Sequence, residues 1–337
     1  MESGPAHSRL VMHRYVMGVL AALLGVGLAL SADAASYTTR IRDNNYVRLS
    51  EWARWQGLET RWLKRDETFQ AAKRGVRLQF TVDSREASFN GLQLWLLLPL
   101  ATRNGDIYIS QLDIDSTFRP LLSPPRNARG KKVRTICLDA GHGGKDPGNR
   151  VAGRQEKDYT LRLTLELRDQ LLRAGFKVVL TRSTDTYPEL SGRPALARRA
   201  GADLFVSLHF NATENGRDEA RGSEVYAMTP VGAASTNSRG EGAGAGASSG
   251  NRSDEKNLLL AFQIQKSLIR QLGSEDRGVR RARFEVLREA TMPAALIEAG
   301  FLSHPIEGRK IFTTEYRRQM AKAIVEGIQA YKQIVER

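Results

Sequence analysis

Cysteine is almost absent from this sequence of 337 residues, and its scarcity limits how the fold can be held together. The one cysteine, Cys137, has no second cysteine to pair with, so no internal disulfide can form. Cys137 stands inside an apolar run, where a free cysteine behaves as a small buried hydrophobic residue. A reactive thiol needs exposure and a lowered pKa, so a catalytic cysteine is the weaker interpretation.

Acidic residues are also in short supply, because 37 Asp and Glu stand against 51 Lys and Arg. The net charge of +14 favours an anionic partner, such as nucleic acid, a membrane surface or an acidic polymer. The hydrophobic share of 41% and the charged share of 26% are those of a globular protein and argue against a disordered chain. The length is sufficient for two domains.

Residues 1–34 have the pattern of a secretory signal peptide. A basic start that includes Arg9 and Arg14 precedes an apolar run over residues 15–30, and Ala32 and Ala34 supply the small residues of a cleavage site. An uncleaved membrane anchor is the alternative, but the run is shorter than the roughly 20 residues of a spanning helix. We therefore expect cleavage after Ala34 and a secreted protein of the periplasm or cell wall, which argues against nucleic acid as the partner.

Residues 36–118 show the alternation of short strands, and we predict a small α+β domain there. Two similar segments, "YVRLSEWA" and "IYISQLDI", flank the hairpin pattern "SFNGLQLWLLLP". These pieces resemble the copper-amine-oxidase N-terminal-like domain of secreted bacterial hydrolases. The region contains no histidine and no cysteine, so we expect no copper site. A wall-binding module and a spacer are alternative roles.

A basic, Pro-rich linker is predicted over residues 119–132, because like-charged Pro-rich segments stay extended. Residues 133–337 then alternate strand and helix patterns. This order predicts an α/β domain with a mainly parallel central sheet and helices on both faces. Strands are predicted over 133–138, 176–181, 204–208, 223–228, 284–287 and 294–297, and helices over 156–174, 191–200, 256–272 and 313–335. A Gly/Ser-rich insertion over 233–253 is expected to be a flexible loop.

Two histidines follow predicted strands of this sheet. His142 stands in a Gly-rich turn after the first strand, and His209 follows the strand 204–208. The carboxyl ends of parallel strands meet at one edge of a sheet, where ligands bind in such folds. Glu156 begins the next helix and can fold back to the same edge. Two imidazoles and one carboxylate form a catalytic zinc set of the His₂Glu type. The simpler interpretations are that the histidine is an incidental surface residue and that Glu156 is an acidic residue favoured by the dipole at the start of a helix.

Glu298 ends the predicted strand 294–297 in an apolar setting. Burial there would raise the pKa of its carboxyl group, and the position suits a general base for a hydrolytic water. A buried salt-bridge partner is the alternative interpretation. Four such residues on one predicted edge make coincidence less plausible than a catalytic site.

The motifs that carry these residues resemble the zinc-dependent N-acetylmuramoyl-L-alanine amidases. They are "LDAGHGGKDPG", "EKDYTLRLTLELRDQL", "VVLTRSTD", "ADLFVSLHFNA", "RGSEVYAM" and "MPAALIEAGFLSHP", in the family's order over about residues 134–334. The resemblance implies that His142, Glu156 and His209 bind zinc and that Glu298 is the catalytic glutamate. The chain departs from the family's pattern in a short loop between His142 and Glu156, in Phe210, and in His304, and Phe210 is expected to reshape the substrate groove.

The implied function is zinc-dependent hydrolysis of the amide between N-acetylmuramic acid and L-alanine in peptidoglycan, for cell-wall remodelling or daughter-cell separation. A zinc peptidase that cuts within the stem peptide and a catalytically inactive cell-wall binding protein are the alternatives. The expected partner is peptidoglycan, with anionic wall polymers or a protein activator as further candidates. We also expect the second domain to retain activity on small substrates without the first.

Overall fold

The computed structural model describes Met1, residues 38–236 and residues 246–337. Apart from Met1, the predicted signal peptide lies outside the described residues, and so do residues 237–245 of the predicted insertion. The described end of that insertion is a 3₁₀ turn, Ser249–Ser253, which leads into a long helix. None of the helices in the described ranges is long and apolar enough to cross a membrane.

The first part of the described chain is mostly strands, whereas strands and helices broadly alternate after residue 133. The strands are β1 Thr38–Ile41, β2 Asn44–Arg48, β3 Glu59–Lys64, β4 Thr68–Lys73, β5 Val76–Thr81, β6 Glu86–Phe89, β7 Leu92–Trp95, β8 Ala101–Arg103, β9 Asp106–Ser110, β10 Thr135–Ala140, β11 Arg150–Val151, β12 Arg154–Gln155, β13 Lys177–Leu180, β14 Leu204–Asn211, β15 Ser223–Met228, β16 Asp276–Ala282 and β17 Ala294–Phe301. The labelled helices are α1 Leu49–Trp55, α2 Glu156–Arg173, α3 Gly192–Arg199, α4 Asp254–Leu272, α5 Glu285–Arg288, α6 Glu307–Ile311 and α7 Thr314–Val335, and short helical turns also cover Gln111–Asp113, Ile114–Phe118 and Arg119–Leu122.

The central sheet has the strand order β13-β10-β14-β17-β15-β16-β7-β6-β5-β4-β3. Strands β13, β10, β14 and β17 are parallel to one another, β15 is antiparallel to β17, and β16 is parallel to β15. The mainly parallel sheet predicted for the second half of the chain is thus observed, with β15 and β16 reversed relative to β17. The carboxyl ends of β10, β14 and β17 lie at one edge.

Both faces of the parallel part are covered by helices, as predicted. Strand β14 alternates strictly, so Leu204, Val206 and Leu208 join the core beneath α2, α4 and α7, whereas Phe205 faces the other way. On that second face Phe205 packs in a smaller cluster with Ala197 of α3 and with residues of α5. Because this strand is buried on both faces, its sequence is a nearly continuous apolar run.

Two elements differ from the sequence-based predictions. Residues 284–287 were expected to be a strand, but they belong to the short helix α5. The strand at this place is β16, whose sequence DRGVRRA carries three arginines and a single Val279 as its branched apolar residue. Arginine in a strand interior is uncommon, and here partners that are remote in the sequence compensate its charge. Helix α6 was not predicted either.

The first part of the chain contributes to the central sheet. Strands β1, β2, β9 and β8 form a small separate sheet, but β3 to β7 continue the large one. Leu94 of β7 pairs with Val279 of β16, and the Trp95 indole N–H donates to the carbonyl oxygen of Arg277. The Phe89 ring stands edge-on to the Phe262 ring of α4, with centroids 5.5 Å apart. The segments predicted as two domains therefore share a sheet and a core, and activity of the second without the first stays a prediction.

The predicted linker is also anchored. It begins with a helical turn, Arg119–Leu122, rather than with extended chain. Farther along, the Asn127 backbone N–H donates to the Val335 carbonyl at the end of α7, and Lys256 Nζ donates to the Asn127 side chain. The linker thus follows the surface of the second half of the chain, held at several points.

Candidate metal centre

Three side chains that the sequence placed at one sheet edge meet there in the structure. His142 lies in the turn after β10, Glu156 is the first residue of α2, and His209 lies in β14. Each offers one ligand atom, and these atoms all lie within 4.8 Å of one another. Two imidazoles and a carboxylate at this spacing can hold a metal ion.

Glycines make room for this group. A Cβ on Gly141 would lie 2.5 Å from His209 Nε2, and a Cβ on Gly148 would lie 2.6 Å from His142 Cδ2 and 2.7 Å from Glu156 Oε2. Real Cβ atoms do not approach other atoms so closely, so both positions require glycine. His142 itself has a φ of 59°, a left-handed conformation that a non-glycine residue adopts only where the surroundings hold it there.

Asp146 orients the His142 ring. Its Oδ2 lies 2.7 Å from His142 Nδ1, and a carboxylate only accepts, so Nδ1 carries the proton. The lone pair is then on Nε2, which lies 3.1 Å from Glu156 Oε1 and faces the donor group. A carboxylate behind a metal-binding imidazole is the arrangement that fixes the ligand's tautomer and increases its basicity.

Glu156 is buried and heavily hydrogen-bonded. Its Oε1 lies 3.1 Å from a ring nitrogen of each histidine and accepts the Phe210 N–H, while Oε2 accepts from the backbone and side chain of Asn149. Burial alone would raise the pKa of this carboxyl, but its interactions with the His142 and His209 rings outweigh burial and hold the pKa below its ordinary value. An ionised carboxylate with two imidazoles is a donor set that fits a divalent cation.

Glu298 lies beside this donor set. It is in register with His209 on one neighbouring strand and with Glu224 on the other, so the three side chains share a face of the sheet. Within the described residues, Glu298 Oε2 is buried and has no hydrogen-bond partner. Burial, and then the negative charges of Glu156 and Glu224, raise the pKa of Glu298 well above its ordinary value. The carboxyl expected from the sequence to be a general base is thus at the same edge.

Glu224 was not predicted from the sequence, although it has several polar partners. It accepts hydrogen bonds from the Tyr226 hydroxyl at 2.8 Å and the Asn211 amide at 3.0 Å, and it pairs with Arg280 at 2.8 Å and Arg277 at 3.3 Å. An acidic residue inside the otherwise apolar strand SEVYAM was the available signal. Its pairing partners lie in β16, the strand that was not predicted.

Two residues singled out from the sequence lie elsewhere. The Phe210 side chain is fully buried in the core beneath α2, so the expectation that it reshapes the substrate groove is corrected. His304 is buried outside the donor group, and its Nδ1 accepts the backbone N–H groups of Ile306 and Glu307. Cys137 is fully buried in β10, and burial raises the pKa of its thiol to about 12, in accord with the structural role expected for it.

Comparison with known proteins gives consistent matches over the second half of the chain. Residues 136–330 match the family model described as N-acetylmuramoyl-L-alanine amidase. The N-acetylmuramoyl-L-alanine amidase AmiC of Neisseria meningitidis is 35% identical over 231 residues, which are 61% of this chain and 55% of that protein. This chain therefore spans about half the length of that relative. The uncharacterized protein YqiI of Bacillus subtilis is 35% identical over 64% of this chain and 91% of its own length.

A solved structure matches the same part. The N-acetylmuramoyl-L-alanine amidase AmiC2 of Nostoc punctiforme is 32% identical in sequence, with a TM-score of 0.50. The match covers 60% of this chain and 99% of that chain. The mixed α/β fold with a large central sheet is therefore shared with a solved amidase.

Proposed function

This chain belongs to the N-acetylmuramoyl-L-alanine amidase family, and from that premise we propose that it hydrolyses the amide between N-acetylmuramic acid and L-alanine in peptidoglycan. We propose further that zinc is the metal and that His142, Glu156 and His209 hold it. The observation that carries the proposal is the convergence of these three side chains within 4.8 Å of one another, beside Glu298, whose buried Oε2 has no hydrogen-bond partner among the described residues.

The donor set supports zinc in preference to the harder divalent cations. Nitrogen donors from two imidazoles suit zinc, whereas magnesium and calcium prefer oxygen donors alone. A zinc ion bound there would supply a Lewis acid that polarises the scissile carbonyl and acidifies a water molecule. Three protein donors, rather than four, are typical of catalytic zinc sites.

The chain's own residues have separate roles in this proposal. Asp146 holds the proton on His142 Nδ1 and so keeps Nε2 available as a donor. Glu298 Oε2, which has no partner among the described residues, takes the proton of the attacking water and passes it to the leaving nitrogen of L-alanine. The bond that breaks joins the lactyl carbonyl carbon to that nitrogen, and the water oxygen remains on the carbonyl carbon.

The cellular role belongs to the proposal as well. We propose a secreted protein of the periplasm or cell wall that takes part in cell-wall remodelling or daughter-cell separation. Peptidoglycan is the proposed partner, and the net charge of +14 supports contact with anionic wall polymers. A protein activator is a further candidate partner. For residues 36–118 we propose a wall-contacting role on the pattern of the copper-amine-oxidase N-terminal-like domain, without copper, because the region holds neither histidine nor cysteine.

Metal removal tests the proposal. Full-length mature protein is incubated with dye-labelled sacculi before and after dialysis against a chelator, and again after zinc is restored. We expect dye release to stop on chelation and to return with one equivalent of zinc. His142→Ala should bind less zinc and release no dye, and Lys145→Ala, which changes an exposed side chain of the same turn, is the matched control. Undiminished release by the chelated protein would contradict the metal-dependent mechanism.

A further inference from the structure

Arg277 is a cation beside the sheet edge that carries Glu298. The described residues satisfy only part of its hydrogen-bonding capacity. It lies in β16, one strand beyond Glu224 and two strands beyond Glu298. Its Nε is 3.3 Å from Glu224 Oε2, and its guanidinium lies over the Phe301 ring, 4.8 Å from the centroid. Its side chain is 28% exposed, compared with 12% for Arg280.

An irregularity in β16 turns Arg277 toward this edge. Ser223 pairs with Asp276 and Val225 with Val279, so Arg277 and Gly278 together oppose the single residue Glu224. In a regular strand, residues three apart point to opposite faces, and Arg277 and Arg280 would be separated. The extra residue brings both guanidinium groups to Glu224, and bulges often re-aim side chains in this way next to active sites.

Arg277 is one of two cations beside Glu224. Arg280 pairs with the same oxygen at the shorter distance of 2.8 Å, and Tyr226 and Asn211 donate to the other oxygen. The two Nη atoms of Arg277 make no hydrogen bond to any residue in the described ranges. Arg277 therefore holds a partly exposed guanidinium group between Phe301 and Glu224, two strands from Glu298.

We infer that Arg277 binds a carboxylate of the stem peptide and so forms a specificity subsite of the amidase centre. The inference rests on the proposed function. Two strand spacings separate Glu298 from Arg277, about 10 Å in all. An extended peptide covers about 7 Å in two residues, and the arginine side chain covers the rest, a reach that fits the α-carboxylate of the second stem residue. A guanidinium fork recognises a carboxylate through two parallel hydrogen bonds.

Binding to the metal-free, full-length mature protein tests this inference without turnover. The probes are N-acetylmuramoyl-L-alanyl-D-glutamate and the same molecule with its glutamate α-carboxylate converted to the carboxamide, each titrated by calorimetry. We expect the wild-type protein to bind the acid about tenfold to a hundredfold more tightly, the range for a charge-assisted hydrogen bond. Arg277→Gln should remove this preference by weakening the binding of the acid alone, and Arg277→Lys should retain only part of the preference.

The matched control is Arg221→Gln, which makes the same charge change at an exposed arginine paired with Glu275. It should keep the wild-type preference, and thermal unfolding should show that all variants are folded. Equal affinity of the wild-type protein for the two probes, including no measurable binding of either, overturns the inference. An equal loss of affinity for both probes in Arg277→Gln also overturns the inference, because such a loss would show that Arg277 has a purely structural role through Glu224. Neither result bears on whether the zinc-loaded protein cleaves sacculi.

Discussion

His209 and Glu298 lie in register on the adjacent parallel strands β14 and β17. Register partners point to the same face of a sheet, so the pairing places a candidate metal ligand beside a carboxyl whose buried Oε2 has no hydrogen-bond partner in the described part of the chain. The sheet itself, rather than a mobile loop, holds the two groups. This rigidity is what a hydrolytic site requires, because small displacements of catalytic groups cost large factors in rate.

Replacement of Glu298 should separate metal binding from catalysis. We expect Glu298→Gln to retain zinc and to lose about a hundredfold to ten-thousandfold in kcat, because an amide cannot accept the water's proton. Stability should not fall, since the buried Oε2 has no hydrogen bond to lose among the described residues. Zinc content by elemental analysis and rates on a soluble muropeptide are the two measurements. Retention of more than a tenth of the wild-type kcat would rule out Glu298 as the base.

Replacement of Gly141 should disturb the donor group through a single methyl group. A Cβ at this position meets the His209 ring at 2.5 Å from Nε2, so Gly141→Ala must displace the imidazole. We expect zinc affinity to fall by about tenfold or more, as for changes that misplace metal ligands. Gly192→Ala is the matched control, because a Cβ there has no neighbour within 4 Å. Equal zinc affinity of the two variants in a competition titration would show that the ring position does not matter.

Removal of the first part of the chain should destabilise the remainder. A protein that begins at Lys131 exposes the edge of β16 and the apolar surface that Phe89 and Leu94 cover. Relative to the chain that begins at residue 35, we expect the free energy of unfolding to fall by about 3 kcal/mol or more, since several buried apolar side chains lose their contacts. Urea denaturation measures the difference. A truncated protein of unchanged stability would restore the interpretation of two independent domains.

The Cys137 thiol should be unreactive while the protein is folded. It is fully buried, and its pKa is raised to about 12, so hardly any thiolate exists at neutral pH. We expect a thiol-specific reagent to label no protein at pH 7 within minutes and one equivalent after unfolding in guanidinium chloride. Rapid stoichiometric labelling of the native protein would indicate that β10 is open to solvent.

The donor residues were predictable from the sequence because each stands beside a strong local signal. His142 lies in a Gly-rich turn, Glu156 opens a long amphipathic helix, and His209 ends an apolar run. Pairings between remote segments were not predictable. Strand β16 is rich in arginine, and its charges are compensated by Glu224 of another strand, so its local pattern does not indicate a strand.

The sheet that the two halves of the chain share was not predicted, for the same reason. Leu94 and Val279 are ordinary apolar residues in their own segments, and nothing local indicates that they pair. The Pro-rich segment 119–132 has the composition of a linker, but its contacts with α7 and Lys256 depend on a surface that only the folded chain provides. Local chemistry thus predicted the site, whereas long-range packing decided the architecture around it.

The most direct test of the proposed reaction is the identity of its products. Purified sacculi are digested with the zinc-loaded mature protein, and the soluble peptides and residual glycan are analysed by mass spectrometry. We predict stem peptides that begin with a free L-alanine amine and glycan strands that keep an unsubstituted lactyl carboxylate on muramic acid. Fragments cut within the stem peptide would contradict the amidase assignment in favour of a peptidase, and the absence of any released peptide would contradict it in favour of an inactive wall-binding protein.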